Sequence, residues 1–170
     1  MPEIISETGV PELNIPKTIK MVVADFDGIM TDGCVYIDEN ASISRKISFK
    51  DVMAISMLKK AGLDMAIISG EKNSSIDLIA SKFNLKEVHQ DIRIKIDVLK
   101  SIVERYNLKE NEFLYIGDDI NDIDCLNFAQ TKVTVPNSTP AVKRVKNIQI
   151  TTQKGGDGAF REVVDCLLNF

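Results

Sequence analysis

Three short apolar runs, each cut off by acidic or small polar residues, constrain this chain more than any other feature. Ile19 to Ala24 (IKMVVA) runs into Asp25, Asp27 and Gly28; Leu63 to Ile68 runs into Ser69 and Gly70; Phe113 to Ile116 runs into Gly117, Asp118 and Asp119. Runs this short and this apolar read as strands covered on both faces, the mark of a parallel sheet. Further strands are expected at Glu87 to His89, at Lys132 to Val135, which Pro136 closes, and at Asn147 to Ile150. Helical spacing of apolar residues predicts helices over Val52 to Ala61, which Gly62 stops, and over Ser74 to Phe83, Ile92 to Tyr106, Ile120 to Phe128 and Phe160 to Leu168, with a short helix after Thr139. This alternation predicts an α/β fold, a three-layer, Rossmann-like parallel sheet with helices on both faces. One stretch interrupts it. Cys34 to Ile37 and Ser42 to Phe49 alternate around Asp38-Glu39-Asn40, which predicts a β-hairpin over about 34–49, too short to be an independent cap.

Size and charge narrow the function. With 170 residues, 44% of them hydrophobic, the chain supports one domain, expected over 18–170 behind a polar, Pro-punctuated tail over 1–17. A formal net charge of -4 argues against a nucleic-acid partner bound through a general basic field. No apolar run is long enough to span a bilayer, so no membrane partner is expected. Cys34, Cys125 and Cys166 are scattered and odd in number, which indicates neither a zinc site nor a disulfide framework and suits a reducing, cytoplasmic setting.

In an open parallel sheet, the loops beyond the C-terminal strand ends form the ligand crevice, so Asp25, Asp27, Ser69, Asp118 and Asp119 are expected to converge. Several carboxylates at one point are tolerable mainly around a hard cation, and magnesium suits them because it takes oxygen ligands and accepts a phosphate oxygen. The set matches what a phosphate ester needs. Asp25 can attack as nucleophile, and Asp27 can protonate the leaving oxygen and then activate water. Ser69 can hold phosphoryl oxygens, and Lys95 can supply a fixed positive charge. Asp118 is expected to ligate the metal, Asp118 or Asp119 can also cap the helix at Ile120, and Asp122 can brace the loop. His89, the sole histidine, reads as a packed or partly exposed strand-end residue rather than a catalyst, and Arg45 is as readily a surface charge as a substrate contact.

Taken together, DFDGIMTDG (Asp25 to Gly33), IISG (Ile67 to Gly70), Lys95 and YIGDDINDIDCL (Tyr115 to Leu126) resemble the four ordered motifs of the haloacid dehalogenase superfamily of phosphatases. The resemblance implies an aspartyl-phosphate formed on Asp25, acid/base work by Asp27, and Mg2+ held by Asp25, Asp27 (through its backbone carbonyl) and Asp118. It further implies phosphate binding by Ser69, Gly70 and Lys95, with Asp119, Asn121 and Asp122 behind the ligands. Thr31-Asp32-Gly33, the hairpin in place of a cap, Lys50-Asp51 and GGDGAFRE (Gly155 to Glu162) are similar to phosphatases of 3-deoxy-2-keto sugar acids. That narrower resemblance implies a phosphorylated sugar acid as substrate, of the octulosonate 8-phosphate or nononate 9-phosphate type. It also implies a homotetramer whose hairpins pack together, and a neighbouring subunit's C-terminal tail over the active site. Thr31, Asp32, Lys50, Glu71, Lys72 and Arg161 are the substrate contacts it suggests. Two other readings stand beside it. One is a phosphatase or phosphomutase for another small metabolite, although a mutase needs a cap to shield its phospho-enzyme from water. The other is a non-catalytic oligomerising domain associated with a sugar-nucleotide (cytidylyltransferase) enzyme.

Overall fold

The strand that ends at Asp25 lies inside the sheet, flanked on both sides. In the computed structural model, which describes residues 13–170, β1 (Met21–Ala24) pairs in parallel with β4 (Asp64–Ile68) on one side and β6 (Phe113–Ile116) on the other. The six parallel strands run in the order β5-β4-β1-β6-β7-β8, with β5 at Glu87–His89, β7 at Thr131–Thr134 and β8 at Gln149–Ile150. The chain steps outward from β1 through β4 to β5, then returns to lay β6 against the other side of β1. That reversal opens a crevice beyond the C-terminal ends of β1 and β6, where doubly wound sheets bind ligands.

Alternation along the strands builds two cores. Val22, Ala24, Ile67, Leu114, Ile116 and Val133 face one layer, which holds α1 (Phe49–Lys60), α2 (Ser74–Phe83) and α6 (Ala159–Leu168). Met21, Val23, Ala66, Ile68, Phe113 and Tyr115 face the other, which holds α3 (Lys95–Arg105), α4 (Ile123–Phe128) and α5 (Pro140–Lys143). Both faces of the sheet are dry, which is why its strands read as unbroken apolar runs. Among the described residues no helix is long and apolar enough to cross a membrane.

Several boundaries differ from those the sequence suggests. The hairpin consists of β2 (Tyr36–Ile37) and β3 (Ile43–Ser44). Its return arm leaves the pairing after Ser44, Ile47 bridges to Thr31 instead, and Ser48 caps α1 by accepting the Lys50 N–H, so that Phe49 opens the helix. Tyr36, Ile37 and Ile43 are exposed. α3 begins at Lys95 rather than Ile92, since Asp91 takes a left-handed conformation (φ 58°) and the Ile92 N–H binds the Ser69 carbonyl at 3.0 Å. Of the expected tail, residues 1–12 lie outside the described residues. Leu13 and Ile15 are buried in the α1/α6 core, and Lys17 Nζ donates to the carbonyls of Cys166 and Leu167.

Candidate active site

Four loops meet beyond the strand ends around a cleft of about 470 Å³. β1 and the turn after it deliver Asp25, Asp27, Gly28 and Gly33, β4 delivers Ser69, Gly70 and Glu71, and β6 delivers Asp118, with Asp119 and Asn121 from the turn that follows; Ile92 and Arg93 complete the lining. Lys95 lies just beneath, as the first residue of α3. Its Nζ sits 2.8 Å from Asp25 Oδ2 and 2.8 Å from Asp122 Oδ1, and its side chain is fully covered. An ammonium at a helix N-terminus opposes the helix dipole, and burial pushes the Lys95 pKa down. The two carboxylates outweigh burial and leave it raised, so Lys95 is charged.

Asp122 holds this arrangement in place. Its Oδ1 accepts from Lys95 Nζ (2.8 Å) and from the Tyr115 hydroxyl (2.7 Å); its Oδ2 accepts from the backbone N–H groups of Asp118 (3.0 Å) and Asp119 (3.2 Å). Asp119 caps the short 3-10 turn Ile120–Asp122 in return. Carboxylate oxygens of Asp25, Asp118 and Asp122 lie within 4.8 Å of one another. Because both Asp122 oxygens already accept two donors each, Asp25 and Asp118 are the pair with capacity left for a cation. Three carboxylates against one ammonium leave two negative charges, the complement of one divalent ion. Burial, reinforced by Asp122, raises Asp25 well above the carboxylate range despite Lys95. Burial and the charges of Asp122 and Asp119 push Asp118 up to about 7. The donor set, hard oxygens only, fits magnesium.

Glycine gives these carboxylates room. Gly28 has φ +86°, and a Cβ there would overlap the Asp118 carboxylate; one at Gly117 would overlap Asp122. Ser69 Oγ accepts the Glu71 N–H at 3.2 Å, which leaves its own proton to donate into the cleft. Asp27 Oδ1 accepts from Thr31 Oγ1 (3.2 Å) and from Arg45 Nε (2.9 Å).

Other expected substrate contacts lie elsewhere. Thr31 is buried under the loop, where its hydroxyl also accepts the N–H groups of Gly28 and Gly33. Asp32 caps its own turn by accepting the Cys34 N–H. Lys72 is exposed and outside the cleft lining. Lys50 and Arg161 line a second depression on the α1/α6 side, where Arg161 Nε pairs with Asp165 at 2.6 Å. The C-terminal loop lies on its own chain: the Gly156 N–H binds the Ile29 carbonyl at 3.0 Å, and Gly155 packs on Gly28 and Thr31 so closely that a Cβ would collide with the Gly28 carbonyl. Buried Asp51 fastens that loop by accepting from the N–H groups of Gly158 (3.1 Å) and Arg161 (2.9 Å) at the start of α6. The places of Arg93 on the cleft lining, Tyr115 behind Asp122, Asp51 under the C-terminal loop and Arg45 beside Asp27 are what sequence reasoning passed over or left undecided. His89 pairs with Glu87 at 2.8 Å, outside the cleft lining.

The family model for haloacid dehalogenase-like hydrolases matches residues 71–162, more than half of the chain. The chain belongs to the haloacid dehalogenase-like hydrolases. Within that family it is similar to the 3-deoxy-D-manno-octulosonate 8-phosphate phosphatase of Yersinia pestis, 27% identical over 150 residues, 88% of this chain and 80% of that protein. Among solved structures it resembles the Moraxella catarrhalis 3-deoxy-D-manno-octulosonate 8-phosphate phosphatase, crystallised with magnesium, phosphate and KDO. That match has a TM-score of 0.84 at 29% identity and covers 90% of this chain and 87% of that one. The cobalt-bound octulosonate 8-phosphate phosphatase of Haemophilus influenzae matches with a TM-score of 0.83 at 26% identity, over 90% of this chain and 89% of that one. This haloacid dehalogenase-like hydrolase thus shares its fold with solved octulosonate 8-phosphate phosphatases.

Proposed function

We propose that this chain is a magnesium-dependent phosphatase that hydrolyses the phosphate monoester of a 3-deoxy-2-keto sugar acid through an aspartyl-phosphate on Asp25. One observation carries the chemistry: the Asp25 carboxylate lies on the cleft wall 2.8 Å from a fully covered ammonium, with Asp118 and Asp27 beside it. The similarity to octulosonate 8-phosphate phosphatases supports the substrate class.

In this reading a carboxylate oxygen of Asp25 forms a bond to phosphorus as the bond to the leaving oxygen breaks, and Asp27 gives that oxygen a proton. Asp27 then takes a proton from water, whose oxygen displaces Asp25 and frees inorganic phosphate. Lys95 and the Ser69 hydroxyl hold the phosphoryl oxygens as charge shifts across them. Asp25, Asp118 and the Asp27 carbonyl would hold the magnesium ion, which supplies charge neutralisation for nucleophile and phosphate. Arg93, exposed on the rim and without an ion pair among the described residues, suits the carboxylate that a sugar acid presents. The exposed apolar side chains of the hairpin suit the oligomer that the resemblance implies.

Phosphate release from the eight- and nine-carbon keto-acid phosphates, with hexose phosphates as controls, tests the assignment. Wild type should prefer one sugar acid phosphate in kcat/KM, chelation should abolish turnover, and Asp25→Asn should abolish it while the melting curve stays cooperative. Turnover surviving in Asp25→Asn would remove the phospho-aspartate, and hexose phosphates working equally well would remove the substrate class.

A further inference from the structure

The two oxygens of Asp27 have unlike surroundings. Oδ1 accepts from Thr31 Oγ1 and Arg45 Nε, whereas Oδ2 is buried and has no hydrogen-bond partner among the described residues. A buried acceptor without a donor is costly, and this one belongs to a residue on the cleft wall. Its surroundings are set from the hairpin. Three consecutive residues of the return arm tie it down: Ile47 bridges to Thr31, Lys46 pairs with Asp157 at 2.6 Å, and Arg45 pairs with Asp27 at 2.9 Å. Side chains alternate along an extended arm, so Arg45 shares its side with the Ile47 position that pairs with the catalytic loop. The Arg45 side chain is 12% exposed, unlike a solvent-screened surface pair.

We infer that Arg45 is a positioning residue. With Thr31 it pins Oδ1 of Asp27, so that Oδ2, covered until substrate displaces its neighbours, is the oxygen that hands the proton to the leaving group. This rests on the phosphatase reading above. The step balances: as the Asp25 oxygen–phosphorus bond forms and the phosphorus–alkoxide bond breaks, the Oδ2–H bond breaks and the alkoxide gains that proton. In the second step a water proton returns to Oδ2 as the water oxygen bonds phosphorus and the Asp25 oxygen–phosphorus bond breaks. Arg45 neither gives nor takes a proton.

A basic alkoxide needs the proton and a nitrophenolate scarcely does, so leaving-group dependence reveals the role. kcat/KM reports steps through the first irreversible one, here phosphoryl transfer to Asp25, so the later water step does not blur it. Arg45→Met should lower kcat/KM for an alkyl or sugar-acid phosphate by roughly ten- to a hundredfold and for p-nitrophenyl phosphate far less. Arg45→Lys, which keeps charge and length but loses the planar fork, should fall between wild type and Arg45→Met, and it serves as the reporter if the Met variant folds poorly. In an Asp27→Asn background the Arg45 substitution should cost nothing further, because its partner no longer carries the proton. Equal losses with both esters would make Arg45 a structural tether only. A loss persisting in Asp27→Asn would make it a direct substrate contact. Either result overturns the inference. A wild type that turns over neither ester would instead overturn the phosphatase reading, and this proposal with it.

Discussion

Asp118 is where the electrostatics of the cleft can be measured. Burial and its acidic neighbours raise it from the ordinary 3.8 to about 7. A raised acid binds its proton more tightly in the fold than in the unfolded chain, so the folded protein holds more protons between about pH 4 and pH 7, and stability falls as pH rises through that window. In chelator, the melting temperature should drop from pH 5 to pH 8, and Asp118→Asn should flatten that drop. Magnesium should raise the melting temperature more at pH 8 than at pH 5, since protons compete for the same oxygens. A shift of equal size at both pH values would remove Asp118 from the metal site. The same residue shows what could be read in advance. Asp25, Asp27, Ser69 and Asp118 were legible because each follows an apolar run. Lys95 was legible through the resemblance, since a lysine at a helix start has no signature of its own. Tyr115 was hidden inside an apolar strand, where its hydroxyl found a partner that only the fold supplies.

At the scale of elements, the site depends on two joints. The first is the turn after β1. Gly28→Ala would force a side chain with φ +86° into the Asp118 carboxylate; the backbone cost is about 1–2 kcal/mol. Displacing catalytic groups by an ångström costs about a hundredfold, so kcat/KM should fall by that order while the protein remains folded. Wild-type turnover in that variant would show that the carboxylate need not sit there. The second joint is Asp51, which caps α6 across from α1. Burial raises its pKa, and backbone donors at Arg161, Gly158 and Phe160 oppose the rise. Asp51→Ala should cost about 1–2 kcal/mol, read by chemical denaturation, with Asp51→Asn costing less. Equal costs would deny the cap its two-donor geometry. Strand and helix order was legible because period and punctuation are local. The reach of Asp51 to residues more than a hundred positions away was not, and neither was the turning of Arg161 toward Asp165 on its own helix.

On the scale of the whole molecule, the hairpin is the part that the single chain leaves unfinished. Tyr36, Ile37 and Ile43 stay exposed on a pair of strands too short to stand alone. Sedimentation should find an oligomer for wild type and a smaller species for a Tyr36→Ser, Ile37→Ser double variant; a monomeric wild type would remove the homotetramer that the resemblance implies. Arg45 lies at the root of the same arm, so turnover and association should weaken together in that variant. No local pattern announced this coupling: Arg45 is one cation among several in a polar stretch, and its meaning depends on where Asp27 points.

The contact of Gly155 and Gly156 with the loop over 28–32 sets an order of events during synthesis. The loop over 28–32 leaves the ribosome more than a hundred residues before the clasp that seats it. A nascent chain that stops short of Gly155 can therefore expose Asp25 without a finished loop around it, and the cleft is complete only when α6 has docked.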